Sequence, residues 1–545
     1  MASQTCKRTL LSVSVLVAMA TSTAAQATNG YFAHGFGTKS KGMGGVGMAI
    51  SRDSFAPATN PAGIAGMESR VDGALAYFRP ERSYRVEGEG LSPADLGLED
   101  LDIDLTETVE ETLGELAEQL GTSVESLLDP DSGSVTGLVD DLSDLLQDGG
   151  DIGASGIMDG LQDVLSDRLD SGLLGGVGLD AATIGDSLFM SLLSDTLVPL
   201  NTNQERIDSR DENHFIPSFG FVRQLSDRSS WGVTVVGNGG MNTNYPGFEN
   251  IEGCQGPFGS AIGSQSGPFC EGSAGVDLMQ LMVMPTFATS FGEEGGLRAG
   301  VSPILSYQRF QAWGLGQFSG ISESPEHVSD NGWEDSFGYG VRVGLQADVG
   351  QRLTLGASYQ SRQRHDGFDD YRGLFAEQGK FDIPSTWGAG VAFRVTRQLT
   401  VAADYTRINY SEVDSISNSV AHLTEDGQKL GSASGPGFGW KDIEVYKIGL
   451  EYDTRGPWEF RAGYNYGDNP ITSEEVTFNI LAPGVMREHY TIGATREIGE
   501  QMELSFAAMY APRESVRGDN AFFPDQDVEI EMRQYEFEVG LGYRF

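Results

Sequence analysis

From residue 213 to the C-terminus, apolar and polar residues alternate in one segment after another. The closing stretch shows the pattern: Tyr535, Phe537, Val539, Leu541, Tyr543 and Phe545 share one parity, while Gln534, Glu536, Glu538, Gly540, Gly542 and Arg544 share the other. A period of two puts these sets on opposite faces of an extended strand. The same alternation predicts strands at 214–225, 229–241, 276–291, 297–311, 333–349, 352–364 and 381–396. It continues at 398–412, 440–454, 457–468, 486–497, 501–512 and 531–545, and an earlier strand is read at 70–87. A soluble sandwich strand also alternates, so one segment decides nothing. Recurrence along the chain, an even count and an aromatic C-terminal residue favour a membrane barrel, lipid-facing outside and polar within.

The connections carry an independent signal. Short ones at 226–228, 292–296, 350–351, 397, 455–456 and 498–500 alternate with long ones at 88–213, 242–275, 312–332, 365–380, 413–439, 469–485 and 513–530. Outer-membrane barrels place short turns in the periplasm and long loops outside. The fold class expected is therefore all-β: a 14-stranded antiparallel transmembrane β-barrel with both termini periplasmic.

Two regions break the alternation. Residues 28–69 are rich in glycine and alanine, with Phe32, Phe36 and Met43 among Gly35, Gly37, Gly42, Gly44, Gly45 and Gly47. They are expected to form a compact hatch, or plug, on the periplasmic side inside the barrel. No strand precedes these glycines and no Gly-Lys-Ser/Thr follows, so a phosphate loop is not indicated. Residues 88–210 change period: Leu105, Val109, Leu113, Leu116 and Leu120 recur at helical spacing, as do Leu138, Leu142, Leu145, Leu161 and Leu165, among many acidic residues. This reads as an acidic, partly helical insertion in the first extracellular loop. A soluble cap, a lid that meets apolar cargo and a calcium-dependent cluster all remain open for it.

Charge, export and cysteine chemistry narrow the function. The formal charge of −42, from 36 basic and 78 acidic residues, argues against a nucleic-acid partner. Lys7 and Arg8, the apolar run 10–20 and the small residues Ala25 and Ala27 read as a signal peptide over 1–27. No later stretch is long and apolar enough for a spanning helix. After that leader only Cys254 and Cys270 remain, in a Gly/Ser/Pro-rich loop of an exported chain, where a disulfide is expected and two free thiols are the alternative. No histidine accompanies them at zinc-ligand spacing, and no metal or other cofactor is expected. The 6 histidines are scattered, with only His365 close in sequence to aspartates, Asp366 and Asp369, so no catalytic residues and no enzyme are expected.

An ordered set of motifs resembles the FadL/TodX family of outer-membrane transport proteins for long-chain fatty acids and hydrophobic hydrocarbons. It comprises Asn60-Pro61-Ala62, Phe381-Asp382-Ile383-Pro384-Ser385-Thr386-Trp387, Gly439-Trp440 and Tyr446-Lys447-Ile448-Gly449-Leu450-Glu451-Tyr452. Arg461-Ala462-Gly463-Tyr464, Asp468-Asn469-Pro470-Ile471, Pro483, Arg487 and Phe545 continue it. The resemblance covers most of the chain after the leader except 88–210. It implies passive uptake of fatty acids, alkanes or aromatic hydrocarbons across the outer membrane of a Gram-negative bacterium. It further implies an external apolar groove, a pocket beside the hatch and a lateral opening at a bend in the third strand, here Gly237, Asn238, Gly239 and Gly240. Ligand-facing candidates are Phe32, Phe36, Phe310, Trp313, Phe318, Phe368, Tyr371 and Phe375. A fatty acid would also need a basic partner, and Arg223, Arg298, Arg309, Arg342 and Arg394 remain equal candidates. The partners expected are hydrophobic small molecules, outer-membrane lipid and lipopolysaccharide, and the barrel-assembly machinery, with the protein a monomer. The competing reading is a binding or adhesion protein whose working surface is the acidic insertion.

Overall fold

A computed structural model describes residues 28–88, 141, 164–165, 206–247, 267–292, 296–522 and 526–545. The leader at 1–27, nearly all of the acidic insertion and Cys254 lie outside the described residues; Cys270 is disulfide-bonded.

The long strands number 14: β1 Arg70–Glu87, β2 His214–Ser226, β3 Ser229–Tyr245, β4 Ala274–Phe291, β5 Leu297–Trp313, β6 Glu334–Val349 and β7 Leu353–Gln360, then β8 Thr386–Arg394, β9 Leu399–Ile408, β10 Ile443–Asp453, β11 Trp458–Gly467, β12 Glu488–Ile498, β13 Met502–Asp519 and β14 Asp527–Arg544. Each pairs antiparallel with its chain neighbours. β14 closes the cylinder on β1, from Arg70 opposite Arg544 to Glu87 opposite Asp527. Two short pieces, Ile207–Asp208 on β1 and Arg364–His365 on β6, extend the wall.

Pairing of β14 with β1 closes the sheet on itself, and the two faces then take their character from the alternation. Leu75, Phe537, Val539, Leu541, Ile492 and Leu345 are exposed on the outside, whereas Glu536, Glu538, Gln534 and Asp72 are buried within. Aromatic belts mark the two interfaces. Near the long loops Trp387 meets Tyr405 at 5.4 Å, Tyr464 meets Tyr490 at 5.2 Å and Tyr510 meets Tyr535 at 5.3 Å between ring centroids. At the short-turn end Phe221 meets Trp231 at 5.5 Å and Tyr543 meets Phe545 at 6.2 Å. Above the upper belt the outer face turns ionic, as in Arg85–Glu529 at 2.7 Å and Arg517–Glu87 at 2.7 Å.

Several strand ends differ from the alternation-based reading for identifiable reasons. β13 runs on past Pro512 because a register shift between Ala511 and Glu514 absorbs the proline. β8 begins at Thr386 rather than 381, since Asp382 is drawn off to Arg362 at 2.7 Å and Pro384 lacks an N–H. β10 begins at Ile443, leaving Trp440 buried in the preceding loop, where its indole N–H donates to Asn479 at 2.6 Å.

Val539 lies midway between the belt residues Tyr535 and Tyr543 on the lipid face. Val539→Arg is expected to destabilise the folded barrel by about 2–4 kcal/mol. Urea titration in lipid vesicles, followed by heat-modifiable gel mobility, measures this.

Candidate functional site

Residues 28–69 lie against the inner wall. Helical structure there is limited to short turns, Thr38–Lys41, Ala56–Ala58 and Pro61–Ile64. What fixes the segment is polar pairing with inward-facing wall residues. Lys39 pairs with Glu503 at 2.7 Å, and Lys41 pairs with Glu536 and, at 2.7 Å, with Glu538. Burial alone would lower the Lys41 pKa, but these carboxylates outweigh it and hold it above the ordinary lysine value. The backbone N–H groups of Gly47 and Met48 donate to Asp404 at 2.7 and 2.9 Å. Arg52 and Arg461 share Glu451, each Nε at 2.9 Å.

The Asn60-Pro61-Ala62 motif is a fastening point. Asn60 caps the turn Pro61–Ile64 by accepting from the Ala62 N–H at 3.1 Å. Its amide donates to Met48 O at 2.7 Å and reaches the wall carbonyls of Leu345 and Ala357 at 3.0 and 3.3 Å. Glycines make the wall flush here: a Cβ at Gly356 would stand 1.9 Å from Met48 O, and one at Gly463 would stand 2.1 Å from Gly44 N.

One cavity lies under the long loops and another beside this segment. The outer one is walled by Met241, Val276, Phe310, Phe318, Phe375 and Phe438, with the Ser415 hydroxyl also in its lining. Phe368 and Tyr371 buttress it, their rings 5.5 and 4.8 Å from Phe310. Trp313 does not line it; its ring lies over Gly275. The inner cavity is bounded by Phe32 and Phe36 on the N-terminal segment, by Ile408 and Val445 on the wall, by polar side chains such as Asn29, Ser358, Thr386 and Thr406, and by Arg342 and Lys447. Aromatic rings link the two, Phe375 to Phe381 at 4.9 Å, Phe381 to Tyr31 at 6.2 Å and Tyr31 to Phe32 at 5.0 Å. Phe310, Phe318 and Phe375 thus line the outer cavity, and Phe32 and Phe36 line the inner one.

The five candidate arginines also separate. Arg298 pairs with Asp348 at 2.7 Å, Arg309 stacks on Trp333 at 4.4 Å and Arg223 on Phe545 at 5.8 Å, and Arg394 is exposed. Arg342 alone is buried in a cavity wall, hydrogen-bonded to Gln360 with its Nε unpartnered. Lys447, which the strand pattern did not single out, donates to His34 O at 2.8 Å. Among the described residues neither has a carboxylate within ion-pair distance. Lys447 lies on the polar parity of β10, opposite Tyr446 and Ile448, which was a usable signal.

The third feature is a window in the wall. Pairing of β2 with β3 stops at Phe219 opposite Val235. Above that point β2 pairs with β1 and β3 with β4, and β3 carries a register shift between Gly237 and Gly239. Part of the freed β3 edge is taken by the N-terminal segment, Ala33 N to Asn238 O at 2.9 Å and Gly240 N to Tyr31 O at 3.3 Å. The upper frame is residues 209–210, whose N–H groups donate to Arg82 O and Asn244 O at 2.8 Å.

His365 approaches Ser306 at 2.8 Å, but Asp382 accepts from the His365 backbone N–H, so no carboxylate orients the ring. Among the described residues no group of three His, Cys, Asp or Glu is placed to hold a metal.

Fold and chambers together define an outer-membrane β-barrel transport protein. Residues 315–539 match the model of the outer membrane protein transport protein family (OMPP1/FadL/TodX). The chain is 22% identical over 360 residues to the long-chain fatty acid transport protein of Escherichia coli K12, covering 61% of this chain and 77% of that protein. The Pseudomonas putida toluene transporter TodX superposes with a TM-score of 0.54 at 14% identity, covering 94% of this chain and 99% of that one. A Pseudomonas aeruginosa FadL homologue gives 0.53 at 11% identity, covering 95% and 100%. The chain is thus similar to the FadL/TodX family of outer membrane transport proteins over residues 315–539, and it shares the barrel fold of the solved structures.

Asn60→Ala is expected to loosen residues 28–66 by about 1–3 kcal/mol, because it orphans buried groups on both surfaces. Faster amide hydrogen exchange at residues 45–65, with the wall strands unchanged, is the readout.

Proposed function

We propose that this protein is a passive uptake channel for long-chain hydrophobic compounds, able to take fatty acids, in which residues 28–69 serve as the hatch. The observation that carries the reading is the pairing of an apolar outer chamber with a mixed inner chamber, where Phe32, Phe36, Ile408 and Val445 meet polar side chains and two cations without a direct ion pair, Arg342 and Lys447. An alkyl chain leaving water for the outer chamber gains roughly 0.8 kcal/mol per buried CH₂. That chamber has no charged lining, so it receives hydrocarbons and acids alike. In the inner chamber a carboxylate would meet the unpartnered Nε of Arg342 and the Lys447 ammonium, which has Asp404 nearby but no direct ion pair among the described residues. Movement of Phe32 and Phe36 with the hatch would lower affinity there, and the β2–β3 window offers a way into the bilayer. Relatives named as transporters of long-chain fatty acids and of toluene are consistent with both kinds of cargo.

Uptake of labelled solutes by a deletion strain complemented with variants tests this. Arg342→Met combined with Lys447→Met is expected to reduce fatty-acid uptake by about tenfold or more while sparing an alkane of equal length. Leu374→Trp, which fills the outer chamber, should lower uptake of both. Equal behaviour of acid and alkane in the double variant would remove fatty acids from the proposal.

A further inference from the structure

The upper corner of the β2–β3 window holds a buried cation that has Asp211, Asp277 and Glu212 in its vicinity but no direct ion pair among the described residues. Arg82, on β1, is 2% exposed, and its Nη2 has no hydrogen-bond partner. Its Nη1 reaches only the backbone carbonyl of Asp211, at 3.5 Å. Beside it His214, the first residue of β2, is fully buried with both ring nitrogens unpartnered, the nearest carboxylate oxygen being that of Asp211 at 3.8 Å. Across the opening Asn242 on β3 donates to Asp277 on β4 and leaves its own Oδ1 unpartnered. A buried guanidinium with a free N–H and no bound carboxylate is costly, and such a fork matches a carboxylate better than any neutral group.

The surroundings suit an amphiphile. The Phe78 ring lies 6.4 Å from that of His214, and Tyr84 packs edge-on against Tyr245 at 4.8 Å, so apolar surface adjoins the cation. Arg82 and His214 are also distinct from the inner chamber and share no lining residue with it. We infer that Arg82 and His214 form a second carboxylate station at the window, which holds the head group of a fatty acid while its chain passes between β2 and β3 into the bilayer. The station gives acids a handhold on the way out that hydrocarbons do not use. This rests on the proposed function, since it presupposes that acids enter the barrel.

The test compares uptake of a long-chain fatty acid with that of the alkane of the same carbon count, in a deletion strain carrying wild-type, Arg82→Met or Arg82→Lys protein. Folding of each variant is checked by heat-modifiable mobility. Arg82→Met is expected to lower acid uptake about tenfold and leave alkane uptake within about twofold, and Arg82→Lys to retain most acid uptake. Should Arg82→Met fail to fold, Arg82→Gln, which removes the charge but keeps an N–H donor, carries the same comparison. Acid uptake that survives loss of the Arg82 charge yet is lost in the Arg342→Met, Lys447→Met protein overturns the window station and leaves the channel reading intact. Equal losses of acid and alkane on removing the Arg82 charge also overturn the station. A wild-type protein that imports neither solute overturns both.

Discussion

The structure depends on how a barrel with an acidic lining satisfies its interior. Glu451, Glu503, Glu536, Glu538 and Asp404 all face inward, and an unpaired buried carboxylate is strongly disfavoured. The N-terminal segment supplies most of what they need, with Lys39, Lys41, Arg52 and the N–H groups of Gly47 and Met48. Wall and filling are thus two halves of one charge-balanced interior. Breaking one such pair leaves its partner exposed to the full desolvation cost, which explains how a segment with so little regular structure of its own holds a fixed position.

That balance is local. Most inward charges that meet the N-terminal segment sit in direct ion pairs, whereas among the described residues Arg342, Lys447 and Arg82 have no carboxylate within ion-pair distance. The contrast also distinguishes the two chambers: the outer is lined by packed rings without charged side chains, and the inner carries Arg342 and Lys447.

Much of this was legible in the chain. The wall could be read because a period of two survives any register, and the alternation of short and long connections separated the two ends of the barrel. The bend in β3 was visible as Gly237-Asn238-Gly239-Gly240, although glycines alone do not distinguish a bend from an ordinary strand end; the loss of β2 pairing does. Which arginine lies in a chamber was not legible from the alternation, since it gives no depth within the lumen: Arg298, at the start of β5, meets Asp348 near the short turn, while Arg342 sits mid-strand on β6. Lys447 escaped notice for the same reason, because its importance comes from what the distant residues His34 and Asp404 place around it. Pro512 and Pro384 misled in opposite directions, the first absorbed by a bulge, the second left outside the strand.

The glycines at 356 and 463 carry one more implication. There the two backbones touch with no side chain between them, so even a methyl group on the wall would act as a wedge. Lining and filling must therefore have been inherited as a matched set, and a chimera that took one from this chain and the other from a distant cousin would be expected to jam at these contacts.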